Sequence, residues 1–301
     1  MSAPLVVEIG GRSLTLSNLD KVLYTEAGFT KSQVIDYYAR IAPYMIPHLD
    51  QRCITLKRFP DGSHTQGFFE KRCPKHRPEW LGTHPGPGDR NGEIGYCAID
   101  EPAALVWCAN MAALELHAPM SWSSEIENPR QMVFDFDPGE PAAMRECCTV
   151  ALLVREVLSS VGLEGFCKTS GSKGLQMYVP LNSPDATQEH AAGFALAVGQ
   201  VLEKQQPKLV TTVMAKAVRP GKIFVDWSQN VRHKTTIAPY SLRARPFPTV
   251  STPVAWDEVT AGASGDTDLR FTAPDVLARV EDLGDIFQPV LQLVQVLPPA
   301  R

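Results

Sequence analysis

Long hydrophobic runs are missing from this chain. No stretch of its 301 residues approaches the roughly 18 apolar residues in a row that cross a bilayer, so a helical membrane span is excluded and no membrane partner is expected. The first ten residues, Met1 to Gly10, lack the charged segment and apolar core of a secretory signal, and a cytoplasmic, nucleoid-associated location is expected. Cysteines number seven, an odd count, and Cys147 and Cys148 are adjacent on an expected helix. That usage argues for reduced thiols and against a disulfide framework. A glycine-rich G-x-G-x-x-G after a strand is absent, as is G-x-x-x-x-G-K-[ST], which removes the Rossmann and Walker readings. Internal repeats and low-complexity tracts are absent too.

What is present is an ordinary globular composition, 44% hydrophobic and 21% charged, enough for one large domain or two lobes with a sizeable core. The formal net charge of −4 taken alone argues against a polyanionic partner. Its distribution argues the other way. Residues 204–245 carry nine Lys or Arg against a single acid, Asp226, a net of +8. A basic block of that density has the electrostatic footprint of a nucleic-acid binder, hidden by an acidic remainder.

Hydrophobic periodicity and turn residues give a coarse map. A hairpin is expected around Gly10-Gly11, within residues 5–16. Thr30 with Gln33 three residues later is a capping-box pattern opening a helix over 31–46. A strand at 52–59 follows, then a Pro- and Gly-rich loop at 74–92, a helix at 102–114 and a loop. Strands are expected at 130–137, 165–169, 175–181, 209–214 and 222–227, with helices at 141–161 and 187–205. Thr272 with Asp275 opens a last helix over 273–295. Interleaved strands and helices with long connections place the chain in the α/β or α+β class.

The stretch Arg-Gln-Met-Val-Phe-Asp-Phe-Asp-Pro-Gly-Glu at 130–140 concentrates the chemistry. Alternation along a strand puts Asp135 and Asp137 on one face, their Cα atoms about 6.6 Å apart at about 3.3 Å per residue. Two carboxylates this close repel unless a cation lies between them, and hard oxygen ligands suit Mg²⁺ or Mn²⁺. Asp226, also at the end of an apolar strand, is the candidate third ligand, the alternative being a salt-bridge acid in a basic stretch. Ser-Gly-Ser-Lys-Gly at 170–174 reads as a small-residue turn able to cradle an anion, with Lys173 adding charge, or as a plain turn. Arg219, Arg243 and Arg245 mix with hydroxyl and aromatic residues as a phosphate-rich ligand requires. Phe68 and Phe69 lie among Lys57, Arg58, Lys71 and Arg72, as base-stacking side chains or as core. Cys73, His76, His84 and Cys97 are too irregularly spaced for a structural zinc site and read as a reduced polar loop.

Several motifs then coincide in order: Leu-Asp-Lys-Val-Leu-Tyr (19–24), Thr-Lys-Ser-Gln-Val-Ile-Asp-Tyr-Tyr (30–38), Phe-Phe-Glu-Lys (68–71), Ala-Leu-Glu-Leu-His-Ala-Pro (113–119), Val-Phe-Asp-Phe-Asp-Pro-Gly-Glu (133–140), Thr-Ser-Gly-Ser-Lys-Gly-Leu (169–175), Gly-Lys-Ile-Phe-Val-Asp-Trp-Ser-Gln-Asn (221–230) and Lys-Thr-Thr-Ile-Ala-Pro-Tyr-Ser-Leu-Arg-Ala-Arg-Pro (234–246). Together they resemble the polymerase domain of bacterial non-homologous end-joining DNA ligases, a branch of the archaeo-eukaryotic primase superfamily. The resemblance covers nearly the whole chain. It implies a two-lobed α+β primase-like fold with mixed sheets flanked by helices. One primase-polymerase domain over 1–301 is expected, with a DNA- and 5′-phosphate-binding portion over about 1–100 and a catalytic portion over about 101–301.

The activity implied is template-dependent nucleotidyl transfer from NTP or dNTP, extending primers and filling gaps in DNA break repair. By the resemblance Asp135, Asp137 and Asp226 hold two Mn²⁺ or Mg²⁺ ions. His117, Ser170, Lys173, Arg219 and Arg243 contact the incoming nucleotide. Lys21 and Lys31 bind a 5′-phosphate, and Phe68 and Phe69 stack on the template. Partners implied are DNA with 5′-phosphorylated gaps or ends, Ku and a separate DNA ligase; no ligase or phosphoesterase module fits within 301 residues, so the sequence is that of a stand-alone polymerase or of an excised domain. One departure stands out: family members often carry His where this chain has Gln176, which can donate a hydrogen bond but cannot carry charge. Two rivals are a non-catalytic DNA-end-bridging module and a metal-dependent phosphoesterase or nuclease. Three acids offer a pure binder of a polyanion nothing, and a nuclease needs no triphosphate contacts.

Overall fold

Thr30 and Gln33 close the expected capping box: the Thr30 hydroxyl accepts from the Gln33 N–H, and Gln33 Oε1 accepts from the Thr30 N–H at 2.8 Å. From that cap a 19-residue helix runs to Leu49 with Val34, Tyr37, Tyr38, Ile41 and Met45 on its buried side. This computed structural model describes residues 4–88 and 92–299. In chain order its elements are β1 (Leu5–Ile9), β2 (Arg12–Leu16), β3 (Val22–Tyr24), β4 (Phe29–Thr30), α1 (Lys31–Leu49), β5 (Thr55–Arg58), β6 (Phe68–Glu70), β7 (Thr83–Pro87), β8 (Glu93–Cys97), α2 (Pro102–Asn110), β9 (Ala113–Ala118) and β10 (Gln131–Pro138). There follow α3 (Met144–Ser160), β11 (Phe166–Thr169), β12 (Leu175–Pro180), α4 (Gln188–Gln205), β13 (Val210–Thr211), β14 (Ile223–Asp226), β15 (Thr236–Ile237), β16 (Pro253–Val254), α5 (Trp256–Ser264), α6 (Ala273–Leu283) and α7 (Pro289–Gln292). The α+β class is observed, and the chain divides into two units.

Unit 1 comprises Met1–Pro119, Thr235–Ser251 and Phe271–Asp285. Its largest sheet has the order β15-β9-β5-β6, all antiparallel. Helix α1 packs against α2 and α6. Val34, Tyr38, Ile41, Met45, Leu105 and Val106 are fully buried there, each large aliphatic worth about 1.5–3 kcal/mol relative to exposure. The two α1 tyrosines keep their hydroxyls satisfied, Tyr37 on the Tyr240 carbonyl and Tyr38 on that of Leu114, both at 2.7 Å.

Unit 2 comprises Met120–Lys234, Thr252–Arg270 and Ile286–Arg301. Its six-stranded sheet runs β13-β14-β10-β12-β11-β16, antiparallel except for β13 with β14. Strand β10 is central, and α3 and α4 pack against it. Phe134 and Phe136 are fully buried and stack at 6.4 Å, so the residues between and after them, Asp135 and Asp137, share the opposite face.

Three expectations shift. The helix from 102 ends at Asn110, Ala112 takes a positive φ of 57°, and β9 begins at once. The apolar run Ala103 to Leu114 disguised that boundary. The loop at 74–92 contains strand β7, paired with β8. The last helix stops at Leu283 because Gly284, with φ of 68°, turns the chain out of helical conformation. Among the described residues no helix is long and apolar enough to cross a membrane.

Candidate active site

The sheet of unit 2 sets four polar residues in one lateral row. Antiparallel register places Asp226 of β14 opposite Asp135 of β10, Gln176 of β12 opposite Asp135 on the other side, and Lys168 of β11 opposite Gln176. Directly opposed residues have Cβ atoms about 4.5–5.5 Å apart. Asp137 stands two positions along on the same face. Asp135 is 9% exposed, and its carboxyl is pushed up to about 7 by burial, then by the charge of Asp137 and that of Asp226. The Gln176 amide and the Lys168 charge pull the other way. Asp226 ends β14 and caps a 3₁₀ turn, Trp227–Asn230. Its Oδ1 accepts from the Ser228 N–H at 3.0 Å and hydroxyl at 2.6 Å, and its Oδ2 from Gln229 Nε2 at 2.8 Å.

Two loops flank the carboxyl end of β10. On one side the turn Ser170–Gly174 closes on itself: the Ser170 N–H donates to the Gly174 carbonyl at 2.9 Å, and its hydroxyl accepts from the Gly174 N–H at 3.1 Å. Gly174 has no room for a side chain, because a Cβ there would collide with the Phe136 carbonyl. On the other side Gly139 donates to the Lys222 carbonyl at 2.8 Å, and a Cβ on it would strike the Arg219 carbonyl. Ser170, Lys173 and Arg219 are thus brought to the strand end that carries Asp137. Lys173 pairs with Glu140 at 2.7 Å, both exposed. Arg219 lies over the Phe224 ring at 3.6 Å, with its Nε buried and unpartnered among the described residues.

Unit 1 has a row of its own. Phe69 of β6 stands opposite Lys57 of β5, which stands opposite Glu115 of β9. Glu115 is 2% exposed. His117 shares a hydrogen bond with its Oε2 at 2.9 Å, the Ala244 N–H donates to its Oε1 at 3.0 Å, and Arg243 Nε lies 3.3 Å from the same oxygen. Burial alone would raise the Glu115 carboxyl. The His117 bond, the Arg243 and His117 charges and the Ala244 N–H outweigh it and hold the group at about 2. Burial also keeps His117 below the ordinary imidazole range, although Glu115 opposes that. An open pocket of about 370 Å³ is lined by Lys57, Gln66, Phe69, Glu115, Arg243 and Arg245. Phe68 and Phe69 are 45% and 61% exposed on edge strand β6, so the core reading of these rings fails. Arg58 covers Phe68 at 5.3 Å and Lys57 covers Phe69 at 5.2 Å.

Lys21 and Lys31 meet at the start of α1, where the Lys31 N–H donates to the Lys21 carbonyl at 2.8 Å. Lys31 Nζ is turned to the Ser17 carbonyl at 2.6 Å, and Lys21 Nζ to Asp61 at 3.0 Å. Burial, then the charges of Lys21 and Arg58, lower Lys31 to about 8.

Residues 30–287 match the family model described as the LigD primase-polymerase domain. This chain belongs to that family. It is 44% identical over 283 residues to the multifunctional non-homologous end joining protein LigD of Mycolicibacterium smegmatis, a match covering 91% of this chain and 36% of the relative. The bifunctional LigD of Bacillus subtilis is 29% identical over 271 residues, covering 90% of this chain and 43% of that protein. Among solved structures, the polymerase domain of Mycobacterium tuberculosis ligase D in complex with DNA superposes with a TM-score of 0.86 at 40% identity, covering 94% of this chain and 99% of the other. The chain spans about a third of the length of its mycobacterial relatives. A LigD primase-polymerase domain is a nucleotidyltransferase, and the class is expected to need divalent metal.

The acid row fits such a metal by chemistry. Its donors are hard carboxylate oxygens, with Asp226 opposite Asp135 and Asp137 two positions along on the same face. In the side-chain positions seen, no three His, Cys, Asp or Glu among the described residues stand close enough to share an ion, and both Asp226 oxygens accept hydrogen bonds from Ser228 and Gln229.

The structure adds two buried charged residues that sequence reasoning missed, Glu115 and Lys168. Glu115 organises His117 and Arg243, yet it was read only as part of a motif, because its partners lie up to 129 residues away. Lys168, within the expected strand at 165–169, is fully buried and bonds Gln176. One expectation is overturned: Cys73 and Cys97 form a disulfide with Cα atoms 4.8 Å apart. A bond from the Cys73 N–H to the Gly95 carbonyl, at 2.8 Å, holds the two segments side by side. The other five cysteines are free and buried.

Proposed function

We propose that this chain is the template-dependent polymerase of a DNA break-repair system, extending primers and filling 5′-phosphorylated gaps with NTP or dNTP. The observation that carries the reading is the opposed pair Asp135 and Asp226, with Asp137 on the same face, at the end of a buried central strand. Asp135, Asp137 and Asp226 would hold two divalent ions, Mn²⁺ or Mg²⁺, with Asp226 exchanging a bond from Ser228 or Gln229 for the metal. Bound there, metal would supply charge neutralisation at a phosphoryl centre, on the order of several kcal/mol. Asp137, exposed at the strand end, would be the carboxylate most open to substrate. Lys173 and Arg219 would receive triphosphate oxygens, and Ser170 would shape the turn that presents Lys173.

In unit 1, Glu115 would hold His117 and Arg243 in place for a nucleotide, with the guanidinium supplying two parallel donors. Phe68 and Phe69, exposed and flanked by cations, would stack on template bases. Lys21 and Lys31, at the positive end of α1, would bind a 5′-phosphate. Ku and a ligase are proposed partners because the curated relatives are end-joining LigD proteins.

The test is extension of a gapped duplex bearing a 5′-phosphate, with NTP and dNTP side by side, in Mn²⁺ and in Mg²⁺. Template-directed extension with pyrophosphate release supports the reading. DNA binding with no extension under any of these conditions would leave an end-binding module instead.

A further inference from the structure

Lys168 is fully buried in the middle of a sheet, at 0% exposure, a position lysine almost never takes without a partner. Its ammonium donates to Gln176 Oε1 at 2.6 Å and lies 5.3 Å from the Tyr178 ring centroid. Gln176, 4% exposed, stands between Lys168 and Asp135 in the register of three neighbouring strands, directly opposite Asp135, where its amide favours the charged carboxylate. The chemistry of the two neighbours settles how the amide lies. An ammonium only donates, so it takes the amide oxygen. The NH₂ is then left to face Asp135. The flipped amide would set donor against donor at Lys168 and acceptor against acceptor at a carboxylate.

We propose that Lys168 and Gln176 act in series as positioning residues for Asp135. Lys168 locks the Gln176 amide, and the amide holds the Asp135 carboxylate in the orientation from which it ligates metal. The inference rests on the metal-binding reading of the acid row given above. Carboxylate ligands are commonly held by hydrogen bonds from a surrounding shell, and removing such a partner costs about 10–100-fold in metal affinity. A pair that served only to fill the sheet would be replaceable by apolar side chains of similar size with no effect on metal.

The test is Mn²⁺ titration of the full chain, without DNA or nucleotide, followed by calorimetry and by the paramagnetic signal of free Mn²⁺. The variants are Gln176→Met, Lys168→Met, the double variant and Asp135→Asn. Each folded single variant is expected to bind Mn²⁺ about 10–100-fold more weakly, and the double variant no more weakly than the weaker single one. Extension by Gln176→Met and Lys168→Met is expected to recover as Mn²⁺ is raised. If a single variant fails to fold, the double variant, which removes the buried ammonium together with its amide partner, decides the matter by the same expected loss. Affinity within twofold of wild type in Gln176→Met or the double variant, with Asp135→Asn impaired, overturns the positioning role and leaves the acid site standing. Losses that multiply in the double variant overturn action in series. Unchanged affinity in Asp135→Asn removes the acid site and the inference with it.

Discussion

Asp226 stands directly opposite Asp135 across the antiparallel pairing of β14 with β10. The two residues are 91 positions apart in the chain, and like charges directly opposed in a sheet destabilise it. A fold that keeps them opposed at the end of its central strand holds a charge arrangement suited to cations. The consequences below follow from that row, from its counterpart in unit 1, and from the lysines at the start of α1.

Glu115, which binds His117 and lies against Arg243, ties stability to acid pH. Its folded value of about 2 lies below the ordinary glutamate value near 4.3. The stabilisation is therefore complete above about pH 4.5 and is lost as pH falls from there toward 2. Its size is of the order of 3 kcal/mol. Thermal unfolding from pH 3 to 6 should show a steep acid limb in the wild type and a flatter one in Glu115→Gln. Parallel limbs would show that Glu115 is not held by His117 and Arg243.

If Lys31 binds the 5′-phosphate as proposed, the preference for phosphorylated gaps depends on pH. With its ammonium lowered to about 8, the side chain loses charge as pH rises from 7 to 9, and a bound phosphate dianion opposes that loss. The ratio of extension on phosphorylated to unphosphorylated gaps should fall over that range. In Lys31→Ala it should be near one and flat. A ratio in Lys31→Ala equal to that of the wild type would remove the residue from the phosphate site.

Phe68 and Phe69 are exposed, so truncation should cost little stability. Stacking on a base is worth about 1–3 kcal/mol, so Phe68→Ala or Phe69→Ala should weaken binding to a template overhang by about 5- to 150-fold. Fluorescence anisotropy against a single-stranded overhang measures this, with the melting temperature as control. Unchanged affinity would return both rings to the role of bystanders.

Much of this was legible in the chain. Asp135 and Asp137 declare themselves by spacing, because alternation in a strand needs no tertiary knowledge. Asp226 was visible as the lone acid of a basic block, although its register with Asp135 was not. Thr30 and Gln33 fixed the start of α1 for the same local reason. What was hidden depended on distant partners. Strand β9 continues the apolar run of α2, so neither the turn at Ala112 nor the burial of Glu115 shows in periodicity. Gln176 was noticed as a departure, but its function depends on Lys168, whose burial follows from the place of β11 within a six-stranded sheet. Cys73 and Cys97 carried no local sign of pairing, since their approach is made by the Cys73–Gly95 backbone bond.

The most direct measurement is single-turnover extension of a 5′-phosphorylated gapped duplex by Asp135→Asn, Asp137→Asn and Asp226→Asn, with DNA affinity measured on the same preparations. The expected result is loss of extension by at least about 10³-fold, several kcal/mol of lost metal assistance, in each variant, with DNA affinity unchanged or slightly increased. Extension at the wild-type rate by any folded member of the three would contradict a shared metal site on the β10–β14 row.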